Sequence, residues 1–144
     1  MTRAPERHQA LIPHRPPMVL IDGVLDAGDD FLVAEVRIAP GVPFFTDGLG
    51  VPAWVGLEYM GQAIAALAGL RAERAGEPVG SGLLVGCSRY TSVVAAFAPG
   101  RRLEVEIRDA GTGAGRFCAF DGLIRDGAVL VRSSISVYLR PAAA

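Results

Sequence analysis

Glu58 and Gln62 stand four positions apart in an otherwise apolar run, VPAWVGLEYMGQAIAALAGL, from Val51 to Leu70. A carboxylate in such a run has two fates. It pairs with a cation, for which Arg15 and Arg89 are the nominees, or burial holds it partly neutral and makes it a proton donor. The residue pattern alone leaves the two open. Gln62, one turn on, is spaced to orient that carboxyl, or simply to bond backbone from a buried position. His14 sits among prolines in LIPHRPP. On its own it is either a ring held in a rigid turn, bonding a backbone carbonyl, or a candidate for acid–base chemistry. Asp47 precedes a Gly and on its own is more often a turn former. His8 falls in an N-terminal arm and is read as incidental.

Other chemistries are poorly provided for. All 14 basic residues are Arg, with no Lys and no Asn in the chain, as a GC-rich coding sequence would give. A Schiff-base lysine and a phosphate-loop lysine are therefore excluded. Cys87 and Cys118 form no metal-ligand spacing with each other or with His8 and His14, so no metal site is expected and both are read as reduced and structural. The formal net charge of −1 gives no general attraction to nucleic acid. MTRAPERHQALIPHRPP has no apolar core of a secretory signal, and a cytoplasmic location is expected. Val51–Leu70 approaches the length of a membrane span, but Glu58 and Gln62 would be costly there, so no span is expected.

The elements that must hold these residues follow from periodicity. With 51% hydrophobic residues, the 144-residue chain suits one domain with a real core. Met18–Leu25 and Phe31–Ala39 read as strands, and Pro40–Pro52 as a Gly- and Pro-dense loop carrying Phe44 and Phe45. A helix is expected from Pro52 to about Arg74, closed by Gly76 and Pro78. Val51 cannot cap it, which leaves the first N–H groups free to bind something else. Gly82–Phe97 reads as a long or bent strand and RRLEVEIRD as an alternating one. RFCAFDGLI and VLVRSSISVYLR join through a hairpin at Asp126–Gly127. Residues 1–10 are read as an arm and 141–144 as a tail. The sum is an α+β domain, a long central helix wrapped by a curved antiparallel sheet of about five to six strands, in the manner of a hotdog fold.

Four stretches in this order resemble the β-hydroxyacyl-acyl-carrier-protein dehydratases of type II fatty acid synthesis. They are LIPHRPPMVLIDGVL, the pair Phe44–Phe45, PAWVGLEYMGQA and PGRRLEVEI. The stretch GVPAWVGLEYMGQAIAA is closer still to the dehydratase-like proteins of aryl polyene pigment clusters. The resemblance covers nearly the whole chain and implies a hotdog fold with active sites at a subunit interface. It also moves Glu58 to the catalytic reading. In the family a His lies in a Gly-His-Phe-Pro loop before the helix. Here that loop reads FFTDGLGVPAW, is shorter, and holds no His, so the resemblance makes His14, in a segment that lines the family's acyl tunnel, the candidate base, with Asp47 of the loop as runner-up.

The resemblance implies dehydration of a 3-hydroxyacyl thioester to the trans-2-enoyl thioester, in fatty-acid or polyene synthesis. His14 would take the α-proton and a protonated Glu58 would donate to the leaving hydroxyl. The Ala53 N–H would face the thioester carbonyl, and Gln62 and Trp54 would complete the substrate site. No cofactor is implied beyond the phosphopantetheine arm that arrives with the substrate. The implied partners are an acyl carrier protein or coenzyme A thioester, and a second copy in a homodimer or higher homo-oligomer. Arg89, Arg101 and Arg102 are the nominees for a carrier-docking patch. The alternatives are a hotdog acyl thioesterase and a catalytically degenerate subunit that pairs with a second dehydratase as a heterodimer.

Overall fold

A computed structural model describes residues 5–111 and 116–140. The expected tail and part of the turn before Arg116 lie outside the described residues. In chain order the elements are α1 (Pro5–Leu11), β1 (Gly23–Ala27), β2 (Phe31–Arg37), β3 (Val51–Pro52), a 3-10 turn (Ala53–Val55), α2 (Gly56–Ala75), β4 (Ser81–Ser92), β5 (Ala96–Phe97), β6 (Arg102–Asp109), β7 (Phe117–Asp126) and β8 (Ala128–Arg140). Six strands form one antiparallel sheet in the order β1-β2-β6-β7-β8-β4, and β3 and β5 make a separate two-stranded ribbon. This is the expected α+β architecture, one long helix against a curved sheet.

Alternation sets the sheet's inner face. Leu103, Val105 and Ile107 of β6 and Val131, Ile135 and Val137 of β8 are buried, while Arg102 and Arg132 point outward. Against this face lie Tyr59, Met60, Ala63, Ile64 and Leu67 of α2. The helix ends as its sequence requires, with Gly76 in the left-handed region at φ 69° and its N–H returned to Ala72 O and Glu73 O. No helix among the described residues is long and apolar enough to cross a membrane.

Three elements differ from expectation. The apolar run Met18–Leu25 enters the sheet only from Gly23; the segment before it is held instead by a side chain of α2, as described below. The expected N-terminal arm contains a helix, α1, and His8 is buried within it at 3% exposure. Where α1 meets α2, Gly69 lies directly under Leu11 O, and a Cβ there would collide with that carbonyl. Finally, α2 begins at Gly56 rather than Pro52, because Val51–Pro52 pairs with Ala96–Phe97 and a 3-10 turn intervenes.

Candidate active site

Gln62 organises the site from beneath. Its side chain is fully buried on α2. The amide oxygen accepts the N–H groups of Leu20 at 2.8 Å and Ile21 at 3.4 Å, and the amide nitrogen donates to Met18 O at 2.7 Å. One glutamine thus replaces the strand partners that the apolar run Met18–Ile21 lacks, satisfying backbone groups that burial would otherwise leave unpaired. The same nitrogen donates to Glu58 Oε1 at 3.2 Å.

The strap between α1 and β1 carries the second partner. Arg15 folds its guanidinium back onto the carbonyls of Gln9, Ile12 and His14, closing the turn after α1. With the chain fixed in that way, His14 Nε2 lies 3.5 Å from Glu58 Oε1. His14 Nδ1 is buried and has no hydrogen-bond partner among the described residues. A neutral ring with Nε2–H toward Glu58 leaves Nδ1 as a bare acceptor, which costs less in a buried position than an unpaired N–H.

Two expectations for Glu58 are corrected here. Neither Arg15 nor Arg89 is its partner; His14 and Gln62 are. Nor is it a protonated acid in an apolar pocket. Its side chain is 42% exposed, on the face of α2 that looks into a groove. Its pKa is lowered from the ordinary carboxylate value, first by the hydrogen bond from His14, which outweighs the upward push of burial, and further by the Gln62 amide. Both contacts favour the ionised form of Glu58.

A third correction concerns Ala53. Its N–H donates to Ala95 O at 3.0 Å, and its carbonyl accepts the Tyr90 hydroxyl at 2.5 Å. The expected free N–H at the helix start is occupied, because that residue belongs to the ribbon joining β3 to β5 before the helix begins. Trp54 is 65% exposed and meets Phe44 edge-on, with ring centroids 5.7 Å apart. It does not line the cavity beside Glu58. Asp47 is exposed in the Thr46–Gly50 turn and lies outside that cavity too. Of the nominated docking arginines, Arg101 pairs with Asp126 and Arg102 with Glu35, while Arg89 is exposed on β4.

The cavity has a volume of about 820 Å³, within the usual range for a small-molecule site. His14 and Glu58 mark one end. Its floor follows α2 through Gly61, Ala65, Ala68 and Ala72, whose small side chains leave the space open. Leu84 of β4 and Val137 and Leu139 of β8 form the opposite wall. Among the described residues no group of three His, Cys, Asp or Glu is gathered as for a metal ion.

Comparison with known proteins agrees with this fold. The family model of the ApeP-like proteins, described as ApeP dehydratase, matches residues 6–144. The solved dehydratase heterocomplex ApeI:P from Xenorhabdus doucetiae superposes with a TM-score of 0.86 at 29% identity, over 94% of this chain and 91% of that one. A thioesterase, PA1618 of Pseudomonas aeruginosa, shares the fold with a TM-score of 0.66 at 14% identity, over 98% and 96% of the two chains. The 3-hydroxyacyl-acyl-carrier-protein dehydratase FabZ of Streptococcus pyogenes serotype M1 is 49% identical over 37 residues. That match spans 26% of this chain and 27% of the curated relative, about a quarter of its length. Matched from residue 6 to the last, the chain belongs to the ApeP-like dehydratase family.

Proposed function

We propose that the protein dehydrates a 3-hydroxyacyl thioester, carried by an acyl carrier protein or coenzyme A, to the trans-2-enoyl thioester. The observation that carries this reading is the contact of His14 and Glu58 at one end of a long, largely apolar cavity. An ionised Glu58 takes the α-proton: the C–H bond breaks and a carboxyl O–H forms. The electron pair passes into the thioester as an enolate and returns as the C=C bond while the β-carbon–oxygen bond breaks. The proton on Glu58 goes to the departing hydroxyl, water leaves, and the carboxylate is restored. His14 donates Nε2–H to Glu58 and holds it in place, and Gln62 fixes the carboxylate from the other side. This exchanges the roles first expected of His14 and Glu58. The lowered pKa of Glu58 and the unpartnered Nδ1 of His14 support the exchange.

The test is turnover of a 3-hydroxyacyl thioester, followed by enoyl absorbance, with Glu58→Gln alongside. Formation of enoyl product that Glu58→Gln abolishes supports the proposal. Hydrolysis of saturated acyl thioesters without dehydration would assign the same carboxylate to activating water, as in an acyl thioesterase.

A second, different dehydratase chain is the partner favoured by the heterocomplex to which this chain is similar. Strand β4 supports an assembly of that kind: it is 12 residues long and ends the sheet, so its outer edge has no neighbouring strand among the described residues. Native mass spectrometry of the chain alone and co-expressed with a second dehydratase chain tests this. A homodimer that dehydrates unaided would overturn the heterodimer reading and leave the edge-pairing one.

A further inference from the structure

Away from His14 and Glu58 the cavity runs between the C-terminal half of α2 and the ends of β7 and β8, and Arg71, Arg116 and Arg140 line it there. Arg71 is committed, donating to Asp29 O and to Asp109 Oδ2 at 3.1 Å. Arg116 and Arg140 are exposed, and neither makes a side-chain hydrogen bond or ion pair among the described residues. Among the described residues Glu77 is the one acidic side chain lining this end. Two uncommitted guanidinium groups against one carboxylate leave this end with excess positive charge. The rest of the wall between the two ends is mostly Gly, Ala, Leu, Val and Ile.

We infer that Arg116 and Arg140 form an anion subsite for the far end of the same ligand whose thioester lies at Glu58. The inference rests on the reading of the His14–Glu58 end as the thioester end. From Glu58 to Arg71 the helix rises about 20 Å at its usual pitch. A flexible linear chain of that reach, apolar or weakly polar along its length and negatively charged at its end, matches the cavity in length, lining and charge. Guanidinium groups suit phosphate and carboxylate alike, through paired N–H donors. Two parts of a thioester substrate carry such a group at such a distance. One is the phosphate of a phosphopantetheine arm. The other is a terminal carboxylate on a long acyl chain.

Three saturated probes of equal acyl length separate these sources without requiring turnover: an acyl pantetheine ending in methyl, the same acyl group on phosphopantetheine, and an acyl pantetheine ending in carboxylate. Binding to the full chain is measured by calorimetry. One anionic probe is expected to bind about tenfold more tightly than the neutral one, as a charge-assisted pair would give. That gain disappears in Arg116→Gln/Arg140→Gln, shrinks with added salt, and grows in Glu77→Gln. Gain with the phosphopantetheine probe identifies the carrier arm; gain with the carboxylate probe identifies the acyl terminus. Equal binding of all three probes, or a gain that survives the double substitution, overturns the subsite. The probes carry a non-hydrolysable thioether in place of the thioester and no β-hydroxyl, so neither hydrolysis nor dehydration consumes them, and a failure of the dehydratase reading appears only in the turnover assay. Both arginines are exposed, so an unchanged circular dichroism melt confirms that the double variant is folded.

Discussion

His14 Nε2 and Glu58 Oε1 lie 3.5 Å apart although 44 positions separate them in the chain, and the Gln62 amide holds both sides of that contact. It bonds Glu58 directly, and through Met18 O, Leu20 N and Ile21 N it pins the strap that follows His14. The His14–Glu58 contact is therefore built within one chain, from a loop and a helix joined by a single buried side chain.

The pH dependence of kcat/KM should follow from this pairing. Glu58 acts as a base only when ionised, and its pKa is lowered chiefly by the hydrogen bond from His14. The acid limb of the profile should fall below the ordinary glutamate range. In His14→Ala that bond is lost and the desolvation of Glu58, the next cause, pushes the limb upward. The linked stability has the same sign: the depressed pKa contributes stability present above the unfolded value and lost as pH falls through the folded one. Glu58→Gln should lose about 10²–10⁴-fold in activity. His14→Ala should lose less, about 10–100-fold, because it removes a positioning donor. A His14→Ala loss as large as that of Glu58→Gln, with no shift of the acid limb, would return the base to His14.

Gln62→Leu tests the strap. The substitution keeps the volume but leaves Met18 O and the N–H groups of Leu20 and Ile21 buried without their partner. Each unsatisfied group costs about 1–3 kcal/mol, so urea unfolding should show a loss of about 2–5 kcal/mol, partly offset by relaxation. Activity should fall further than in a variant of equal stability loss elsewhere in the core, such as Ile135→Val combined with Val131→Ala, because His14 moves with the strap. Equal activity in the two would mean that Gln62 is structural only.

The helix boundary, the strap and the groove show how far the sequence could be read. Alternation in RRLEVEIRD and VLVRSSISVYLR gave the central strands within a residue or two, because one face of each is buried and a slip would invert it. Gly76 and Asp126–Gly127 marked a helix end and a hairpin through the positive φ that glycine tolerates. The run Met18–Leu25 was less legible. A continuous apolar stretch looks the same whether strands or a glutamine satisfy its backbone, and Gln62 lies 44 positions from Met18 in the chain. The state of Glu58 was misread for a related reason. Its neighbours in sequence are apolar, but its neighbours in space are His14, Gln62 and an open groove. The carrier patch could not be read from arginines alone, since which of them were already paired depended on Glu35 and Asp126.

Gly69→Ala tests whether α1 carries the strap. Gly69 admits Leu11 O against the helix, and a methyl there forces α1 outward. Overpacking of this kind costs about 1–3 kcal/mol. Thermal unfolding should register that loss. Glu58 itself is untouched, so any additional fall in kcat/KM, with the acid limb moving upward, reports displacement of His14. A stability loss with an unchanged pH profile would show that the strap is held by Gln62 without help from α1.

Tyr90→Phe probes the start of α2. The Tyr90 hydroxyl donates to Ala53 O at 2.5 Å, and burial pushes its pKa up to about 12, so it remains a donor throughout the working pH range. Gly56 N–H shares the same carbonyl, and a Cβ at Gly56 would collide with the hydroxyl. Removing the hydroxyl leaves Ala53 O with one donor fewer and a small void over Gly56, for a cost of about 1–2 kcal/mol. The 3-10 turn is then free to loosen. If the Ala53 N–H leaves Ala95 O to serve a substrate carbonyl during turnover, loosening the turn should raise kcat or lower KM despite the lost stability. If that N–H stays in the ribbon, kcat should hold or fall with KM unchanged. The steady-state constants of Tyr90→Phe therefore decide whether the ribbon between β3 and β5 opens in the catalytic cycle.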